Sequence, residues 1–384
     1  MSLAAPSLTG ARPHAVAPVL NADEQGLLDF AMAWKGRLRG AMKAALPAVY
    51  EGRAAPAYAA GHGRRPQGWR EVEAAMAGDP LYRWWSALLR AQQEYYLQVT
   101  GDVVERQLDE LNAACAAIAA APRFGSLRLT PGTVIPPYQA EVDIHCVPGS
   151  YFLERSADDV WAGARSDLGS FVFAMGRHGG MNEDKGVSGA AFIKARFPDL
   201  KIRRILDLGC TVGLSTLPYC EAFPQAQVHG LDLSAPCLRY AHARAEVLEK
   251  GVHFHQGNAE ATDFPDGHFD LVVSHILLHE TSAKALPRIF AEAHRLLAPG
   301  GVMLHVEVPV RRVDSFDQFL TNWDASNNNE PFWAVLSEMD LVAPAVAAGF
   351  AADSVFECVV PTSFAKAGDW LGIGARKAGA GKAA

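Results

Sequence analysis

The second half of the chain alternates apolar segments of strand length with segments of helical spacing. Five apolar runs after residue 186 predict strands, at 204–209, 227–232, 252–257, 269–275 and 301–308. Near-continuous apolar runs such as RILDLG and FDLVVSHIL are typical of strands that are buried on both faces of a sheet. Helical segments between most of these runs are the connections that parallel strands require. The pattern therefore predicts an α/β fold with a Rossmann-like, doubly wound sheet.

The first half of the chain follows a different pattern. We expect a flexible N-terminus over residues 1–22 and then helices, one of them opened by Asp79 as its cap and Pro80 at its first position. Short pieces punctuated by Pro and Gly follow, and they predict a few strands ahead of the sheet. The predicted organisation is a mainly helical N-terminal domain over 23–150 and an α/β domain over 151–384.

The predicted helix that starts at Pro80 carries an apolar stripe that includes Trp84, Trp85, Leu88 and Leu89. The stripe allows two interpretations, an aromatic lid over a substrate or a face that packs on the rest of the protein or on a second subunit. We favour packing, and a homodimer through the N-terminal helices is one form that this packing would take.

Composition and charge limit the class of protein. The 384 residues are 49% hydrophobic and 20% charged, which is typical of a folded globular chain. The formal net charge of -7 argues against a nucleic-acid partner. No uncharged run approaches the roughly 20 residues that a membrane span needs, and prolines interrupt the apolar N-terminal segment, unlike a signal peptide. Six scattered cysteines without metal-ligand spacing indicate reduced thiols in a cytoplasmic protein, and we expect no metal site.

Polar residues and glycines gather where the predicted strands end. In open α/β sheets, ligands bind beyond the carboxyl ends of the strands, so these residues are expected to face one crevice. The first strand leads into Asp207, Gly209, Thr211 and Gly213, the second into Asp232, the third into Asn258, Ala259 and Glu260, and the fourth into Ser274 and His275.

The turn after the first strand lacks the glycine spacing of a dinucleotide site. Counting from Gly209, the positions that would hold the second and third glycines are occupied by Thr211 and Leu214. The carboxylate of Asp207 would oppose a bound pyrophosphate but would favour a ligand that carries ammonium and sulfonium cations. The turn therefore indicates a cationic nucleoside without phosphate.

Residues after the next two strands suit the nucleoside itself. Asp232 can accept hydrogen bonds from two ribose hydroxyls, a contact that NAD enzymes also make. Asn258, together with the backbone amide of Ala259, can match the edge of an adenine ring. The pair of contacts indicates an adenosine.

Four segments, in this order, resemble those of the class I S-adenosylmethionine-dependent methyltransferases, in particular the small-molecule branch that includes quinone-biosynthesis C-methyltransferases. They are LDLGCTVGLST, GLDLS, GNAEATDFPDGHFDLVVSHILLHE and EAHRLLAPGGVMLHVEV, and they cover roughly the second half of the chain. The resemblance implies S-adenosylmethionine as cofactor and S-adenosylhomocysteine as product. It also implies an antiparallel C-terminal hairpin, for which 354–361 and 370–376 supply the strands.

The resemblance extends to individual residues. It implies Asp207 near the methionine ammonium, Gly209 and Gly213 against the cofactor, and Asp232 on the ribose. The family's middle glycine is Thr211 here, and a β-branched residue at that place restricts the turn. The residues that we assign to the cofactor are Asp207, Gly209, Cys210, Thr211, Gly213, Ser215, Asp232, Leu233, Asn258, Ala259, Glu260, Ser274, His275 and Tyr151.

Three histidines are candidate catalytic bases. Methyl transfer depends mainly on holding acceptor and methyl in line, and a base is needed only if the acceptor arrives protonated. His275 and His279 lie at or just after the end of the fourth strand, where structural hydrogen bonds are the alternative role. Asp143 and His145 alternate on a predicted strand, which suits a base with its orienting carboxylate, two metal ligands, or satisfied structural groups.

The function predicted from these residues is methyl transfer to O, C or N of a small organic acceptor. Phe316, Phe319 and Trp323 lie in a long insertion after the fifth strand, and they are predicted either to line the acceptor pocket or to pack against the N-terminal helices. The alternative function is a module that binds S-adenosylmethionine or S-adenosylhomocysteine without catalysis, with a sensing or partner-binding role. An NAD-linked oxidoreductase is a third class.

Overall fold

An eight-stranded sheet runs through the computed structural model, which describes residue 8 and residues 11–365 and 367–379. The strands are β1 (Ser126–Arg128), β2 (Arg204–Leu208), β3 (Gln227–Asp232), β4 (Val252–Gln256), β5 (Phe269–His275), β6 (Leu297–Glu307), β7 (Val355–Val360) and β8 (Trp370–Arg376). Their order in the sheet is β1-β4-β3-β2-β5-β6-β8-β7. The prediction of a Rossmann-like, doubly wound sheet is confirmed.

Strand direction follows the expected pattern. All neighbouring pairs from β1 to β6 are parallel, whereas β8 is antiparallel to both β6 and β7. The predicted C-terminal hairpin is therefore present. The strand order reverses between β2 and β5, and this switch point opens a crevice at the carboxyl ends of the strands.

The N-terminal part is helical, as predicted. Two π-helical turns, Leu38–Met42 and Tyr50–Ala54, join the first three helices into one run that tolerates Pro47 inside it. Asp79 caps α5 by accepting from the backbone amide of Leu81. The helices of this part are α1 (Ala22–Arg37), α2 (Lys43–Val49), α3 (Ala55–His62), α4 (Gly68–Met76), α5 (Pro80–Glu105) and α6 (Leu108–Ala120).

The remaining helices connect or cover the strands. They are α7 (Pro137–Ala140), α8 (Trp161–Ala174), α9 (Asp184–Arg196), α10 (Leu217–Ala222), α11 (Ala235–Val247), α12 (Leu286–Leu296), α13 (Ser315–Thr321), α14 (Trp323–Asn327), α15 (Trp333–Glu338) and α16 (Val342–Ala347). Within the described part of the chain, no helix combines the length and the apolar character that a membrane crossing requires.

Apolar side chains fill both faces of the sheet. Leu206, Phe290 and Met303 belong to the cluster on one face, and Ile205 and Leu238 belong to the cluster on the other. Successive residues of β2 thus point into opposite buried layers, as the continuous apolar run predicted. The polar ends of the strands are left at the crevice.

The aromatic insertion packs on the N-terminal helices. Phe316, Phe319 and Trp323 share an apolar cluster with Tyr82 and Trp85 of α5, and none of the three lines the cavity at the strand ends. Of the two predicted roles, the structure shows the packing role. The stripe of α5 is likewise partly buried inside this chain, although Trp84 remains 66% exposed.

One predicted strand is wrong. Residues 144–146 form a 3-10 turn, in which His145 has a positive φ of 56°. The backbone amide of Cys146 donates to the carbonyl of Asp143 instead of to a neighbouring strand. Cys146 also has a positive φ, of 65°, so the backbone here is bent and cannot extend along a sheet edge.

Candidate active site

A cavity of about 530 Å³ lies at the carboxyl ends of the strands, bounded by α5 and α8 on its outer side. Such a volume is in the range of small-molecule sites. The predicted site residues that line it are His145, Tyr151, Asp207, Gly209, Cys210, Thr211, Ser215, Asp232, Leu233, Asn258, Ala259, His275 and His279. Gly213, Glu260 and Ser274 lie beside it without contributing to its wall.

The turn after β2 has the sharply bent backbone that its glycines predicted. Gly209 and Gly213 have φ values of 71° and 76°, in the left-handed region. A Cβ atom on Gly209 would lie 2.7 Å from a methyl carbon of Leu277, so a larger residue would collide there. Thr211 has a φ of 47°, which is a strained conformation for a β-branched residue.

Asp232, at the end of β3, faces the cavity from beside this turn. Its Oδ2 accepts from the backbone amide of Thr211 at 2.9 Å, and its Oδ1 accepts from the amide of Ser234 at 2.8 Å. Burial raises the pKa of Asp232 to about 6, against the effect of these backbone hydrogen bonds. Each oxygen keeps lone-pair capacity for a ligand hydroxyl.

Asp207 and His275 form a buried pair beneath the turn. Oδ1 of Asp207 lies 3.1 Å from Nδ1 of His275, and Oδ2 accepts from the hydroxyl of Thr216 at 2.6 Å. The other ring nitrogen of His275 lies 3.2 Å from the hydroxyl of Tyr219. Because both ring nitrogens have partners, His275 matches the structural alternative better than the role of a free base.

The segment after β4 divides into two parts. Asn258 and Ala259 line the cavity, and Oδ1 of Asn258 accepts from the amide of Glu260 at 2.9 Å. Glu260 turns outward, where it accepts from the hydroxyl of Tyr138 and forms an ion pair with Arg288. The adenine edge predicted for Asn258 and Ala259 is therefore open to the cavity, whereas Glu260 acts in packing.

A cluster of histidines and glutamates closes the other end of the cavity. Nδ1 of His279 lies 2.6 Å from Oε1 of Glu307, and its Nε2 lies 3.9 Å from oxygens of both Glu280 and Glu330. His145 bridges the latter two carboxylates, 3.2 Å from Glu280 and 2.9 Å from Glu330. We call these five residues the His–Glu cluster.

The carboxylates of the His–Glu cluster hold both histidines in their charged form. Burial disfavours that form, but Glu330 and Glu280 outweigh it and raise the pKa of His145 to about 10. In the same way Glu307, with Glu280 and Glu330, raises the pKa of His279 to about 9. Neither histidine is a neutral base near pH 7. The orienting partner expected for His145, Asp143, instead accepts from the amide of Gly149.

Sequence reasoning missed the three glutamates of the His–Glu cluster. Glu307 ends β6 at the crevice, so the strand-end argument could have found it. Glu280 follows His279 directly, but Glu330 lies in the insertion after β6, where no local pattern marks it. Among the described residues, no group of three or more His, Cys, Asp or Glu side chains has an arrangement that would hold a metal ion.

The donor set at the turn fits the predicted cofactor. The turn residues 207–215 contain no Lys or Arg, and the carboxylates of Asp207 and Asp232 both reach the cavity wall. A pyrophosphate would meet two negative groups there, whereas a sulfonium and an ammonium would be attracted. The ribose and adenine contacts predicted for Asp232 and Asn258 are available on the same wall.

Comparisons with known proteins agree with this chemistry. A family described as "Methyltransferase domain" matches residues 205–301. A demethylmenaquinone methyltransferase of Thermus thermophilus is 36% identical over 107 residues, which are 28% of this chain and 48% of the relative. A trans-aconitate 2-methyltransferase of Deinococcus radiodurans is 36% identical over 129 residues, which are 34% of this chain and 46% of the relative. The chain spans about half the length of these relatives.

A solved structure of phosphoethanolamine N-methyltransferase 2 from Haemonchus contortus, in complex with S-adenosyl-L-methionine, covers 56% of this chain and 58% of its own, with 18% identity and a TM-score of 0.43. Residues 205–301, which carry β2 to β5 and the start of β6, are therefore similar to a methyltransferase domain.

Proposed function

We propose that this protein transfers a methyl group from S-adenosylmethionine to a small organic acceptor bound in the same cavity. The observation that carries the proposal is the cavity itself, which joins the nucleoside wall at Asp232 and Asn258 to the His–Glu cluster. The matching family and the named relatives, which are methyltransferases, support it. No observation favours a binding module without catalysis.

The cofactor would be held by the strand ends. When bound, S-adenosylmethionine supplies a methyl group on a sulfonium that is already activated for displacement. Asp232 would accept from the ribose hydroxyls, Asn258 and the amide of Ala259 would contact the adenine, and the missing side chain of Gly209 would let the ligand approach the backbone. The role of Asp207 toward the methionine ammonium stays a prediction, because its oxygens already contact Thr216 and His275.

The His–Glu cluster would handle the proton of the acceptor. Since His145 and His279 are already protonated at neutral pH, the proton acceptor is a carboxylate. Glu330 fits this role: its side chain is 3% exposed, it lines the cavity, and its Oε2 has no hydrogen-bond partner among the described residues. We assign Glu330 as the base that removes a proton from an acceptor that arrives protonated.

Several finer properties remain proposals. The acceptor is proposed to take the methyl group on O, C or N, and demethylmenaquinone and trans-aconitate, named for the relatives, serve as trial acceptors. A cytoplasmic location, the absence of a nucleic-acid partner and a homodimer through the N-terminal helices are expectations from the sequence alone. The division of the chain near residue 150 is likewise an expectation.

The test is binding followed by turnover. The protein is titrated with S-adenosylmethionine and S-adenosylhomocysteine, and it is then incubated with methyl-labelled cofactor and the trial acceptors or a metabolite extract. We expect binding of both nucleosides and a labelled product, with both lost in Asp232→Ala. Asp263→Ala is the matched control, because Asp263 is an exposed carboxylate that pairs with Arg128 outside the cavity. Absence of cofactor binding in the wild type would refute the proposal.

A further inference from the structure

One face of α8 forms the outer wall of the cavity. Arg165, Gly169 and Phe173 follow one another at intervals of four residues and all line the cavity, as do Ser166 and Ser170 beside them. This spacing places the side chains on one face of the helix. Apart from Arg165, the wall formed by these five residues carries no charge.

Arg165 is buried without an ionic partner. It is 5% exposed, and among the described residues its guanidinium makes no hydrogen bond and no ion pair. Its Nε is a buried donor without a hydrogen-bond partner. The ring of Trp161 lies 5.5 Å from its central carbon. Burial lowers the pKa of Arg165, and the groups that act on its charge are Tyr96, Tyr151 and Cys237, none of them a carboxylate.

Arg244 is a buried arginine that does not line the cavity, and it serves as the comparison for Arg165. It is 2% exposed, and although its Nε and Nη1 make no hydrogen bond, its Nε lies 3.5 Å from the carboxylate of Asp167 and forms an ion pair with it. Asp167 also accepts from the hydroxyl of Tyr240. Removing a charge from water costs several kcal/mol unless an opposite charge compensates it, and of these two arginines only Arg244 has such a charge beside it among the described residues.

We propose that Arg165 binds the carboxylate of a ligand that occupies the cavity. A guanidinium presents two parallel N–H groups that match a carboxylate, which makes it the preferred side chain for this contact. The inference rests on the proposed function for the identity of the ligand.

The carboxylate has two possible sources. It belongs either to the amino-acid end of S-adenosylmethionine or to an acidic acceptor. Decarboxylated S-adenosylmethionine separates them, because it keeps the nucleoside, the sulfonium and the amine while it lacks only the carboxylate. Trans-aconitate, titrated into the protein saturated with S-adenosylhomocysteine, probes the acceptor side.

The variants are Arg165→Met and, as the matched control, Arg244→Met. Methionine fills much of the same volume without charge. We expect the melting temperature of the ligand-free protein to be maintained or raised in Arg165→Met, because an uncompensated charge is removed. We expect it to be lowered in Arg244→Met, which takes the guanidinium away from the buried Asp167 and leaves that carboxylate to His14 and Tyr240. A melting temperature that falls equally in both variants would show a structural role for Arg165 and would overturn the inference.

Ligand titrations decide the source. A loss of about ten- to a hundredfold in affinity for S-adenosylmethionine and S-adenosylhomocysteine, with unchanged affinity for the decarboxylated compound, places the carboxylate on the cofactor. Unchanged cofactor affinity with loss of trans-aconitate binding places it on the acceptor. Equal affinities of wild type and Arg165→Met for every probe would overturn the inference.

The proposed function and the inference about Arg165 can be refuted independently of each other. If the wild type binds neither nucleoside, methyl transfer is refuted. In that case trans-aconitate is titrated into the protein without S-adenosylhomocysteine, and this titration and the melting temperatures still decide whether Arg165 is a binding residue.

Discussion

The backbone amide of Thr211 donates a 2.9 Å hydrogen bond to Oδ2 of Asp232 and so fastens the turn after β2 to the acid at the end of β3. The two residues come from different strands, and the bond orients the carboxylate that is proposed to bind the ribose. It also holds Thr211 in the left-handed conformation, at a φ of 47°. The geometry of the ligand site and the strain of its turn are therefore linked.

Replacing Thr211 with glycine should stabilise the protein. Glycine removes the backbone strain of a β-branched residue in the left-handed region, although it also increases the conformational entropy of the unfolded chain. We expect the first effect to be larger, with a gain of about 1 kcal/mol in the free energy of unfolding. Urea denaturation of Thr211→Gly measures it. Thr130→Gly, at a residue without positive φ, should lose stability; a loss in Thr211→Gly as well would show that the turn is not strained.

Cofactor affinity should depend on pH through Asp232. The pKa of Asp232 in the ligand-free protein is raised to about 6, so the carboxylate that accepts from the ribose is progressively protonated as the pH falls through 6. Calorimetric titration between pH 8 and pH 5 should show the affinity for S-adenosylhomocysteine falling below about pH 6. Asp232→Asn should bind weakly with no such step, and a step that persists in this variant would assign it to another group.

Glu330→Gln should slow methyl transfer without weakening the binding of S-adenosylmethionine. Loss of a positioned base lowers the rate by about a hundredfold, whereas the nucleoside contacts lie on the other wall of the cavity. Single-turnover rates at saturating acceptor and the dissociation constant of S-adenosylmethionine measure the two effects. The control is Glu338→Gln, an exposed carboxylate that pairs with Arg70. An unchanged rate in Glu330→Gln would show that the acceptor arrives without its proton.

Two half-buried histidines should make the protein sensitive to acid. Nδ1 of His229 on β3 lies 3.1 Å from Nε2 of His255 on β4. Burial, reinforced by nearby cationic groups, lowers the pKa of His229 to about 3 and that of His255 to about 4. The pKa of a histidine in the unfolded chain is near 6.5. At pH values between the folded and unfolded pKa values the unfolded chain therefore binds more protons than the folded chain. The free energy of unfolding falls as the pH is lowered through this range.

The measurement is urea denaturation at pH 7.5 and pH 5. The wild type should lose stability between them, and His229→Gln should lose less because one of the titrating rings is gone. An equal loss in both proteins would locate the acid sensitivity in other groups.

Much of the nucleoside wall could be predicted from the sequence. Asp207, Asp232 and Asn258 each follow a recognisable strand, and parallel strands end on one edge of a sheet, so their meeting in space follows from the pattern alone. The prediction of a strand through Asp143 and His145 was wrong, because alternation of residue types does not show whether the backbone is extended. His145 and Cys146 have positive φ values, and the segment closes on itself as a turn.

The sequence by itself determined the sheet, the bent glycine turn and the carboxylate that faces it, since periodicity and turn chemistry act over a few residues. Only the tertiary structure decided which residues lie at the His–Glu cluster end of the cavity. Glu280, Glu307 and Glu330 meet His145 and His279 from separate segments, and contact with these carboxylates turns the predicted bases into cations. The tertiary structure also decided that Arg165 is buried without an ionic partner, because the neighbours of a buried charge come from distant parts of the sequence.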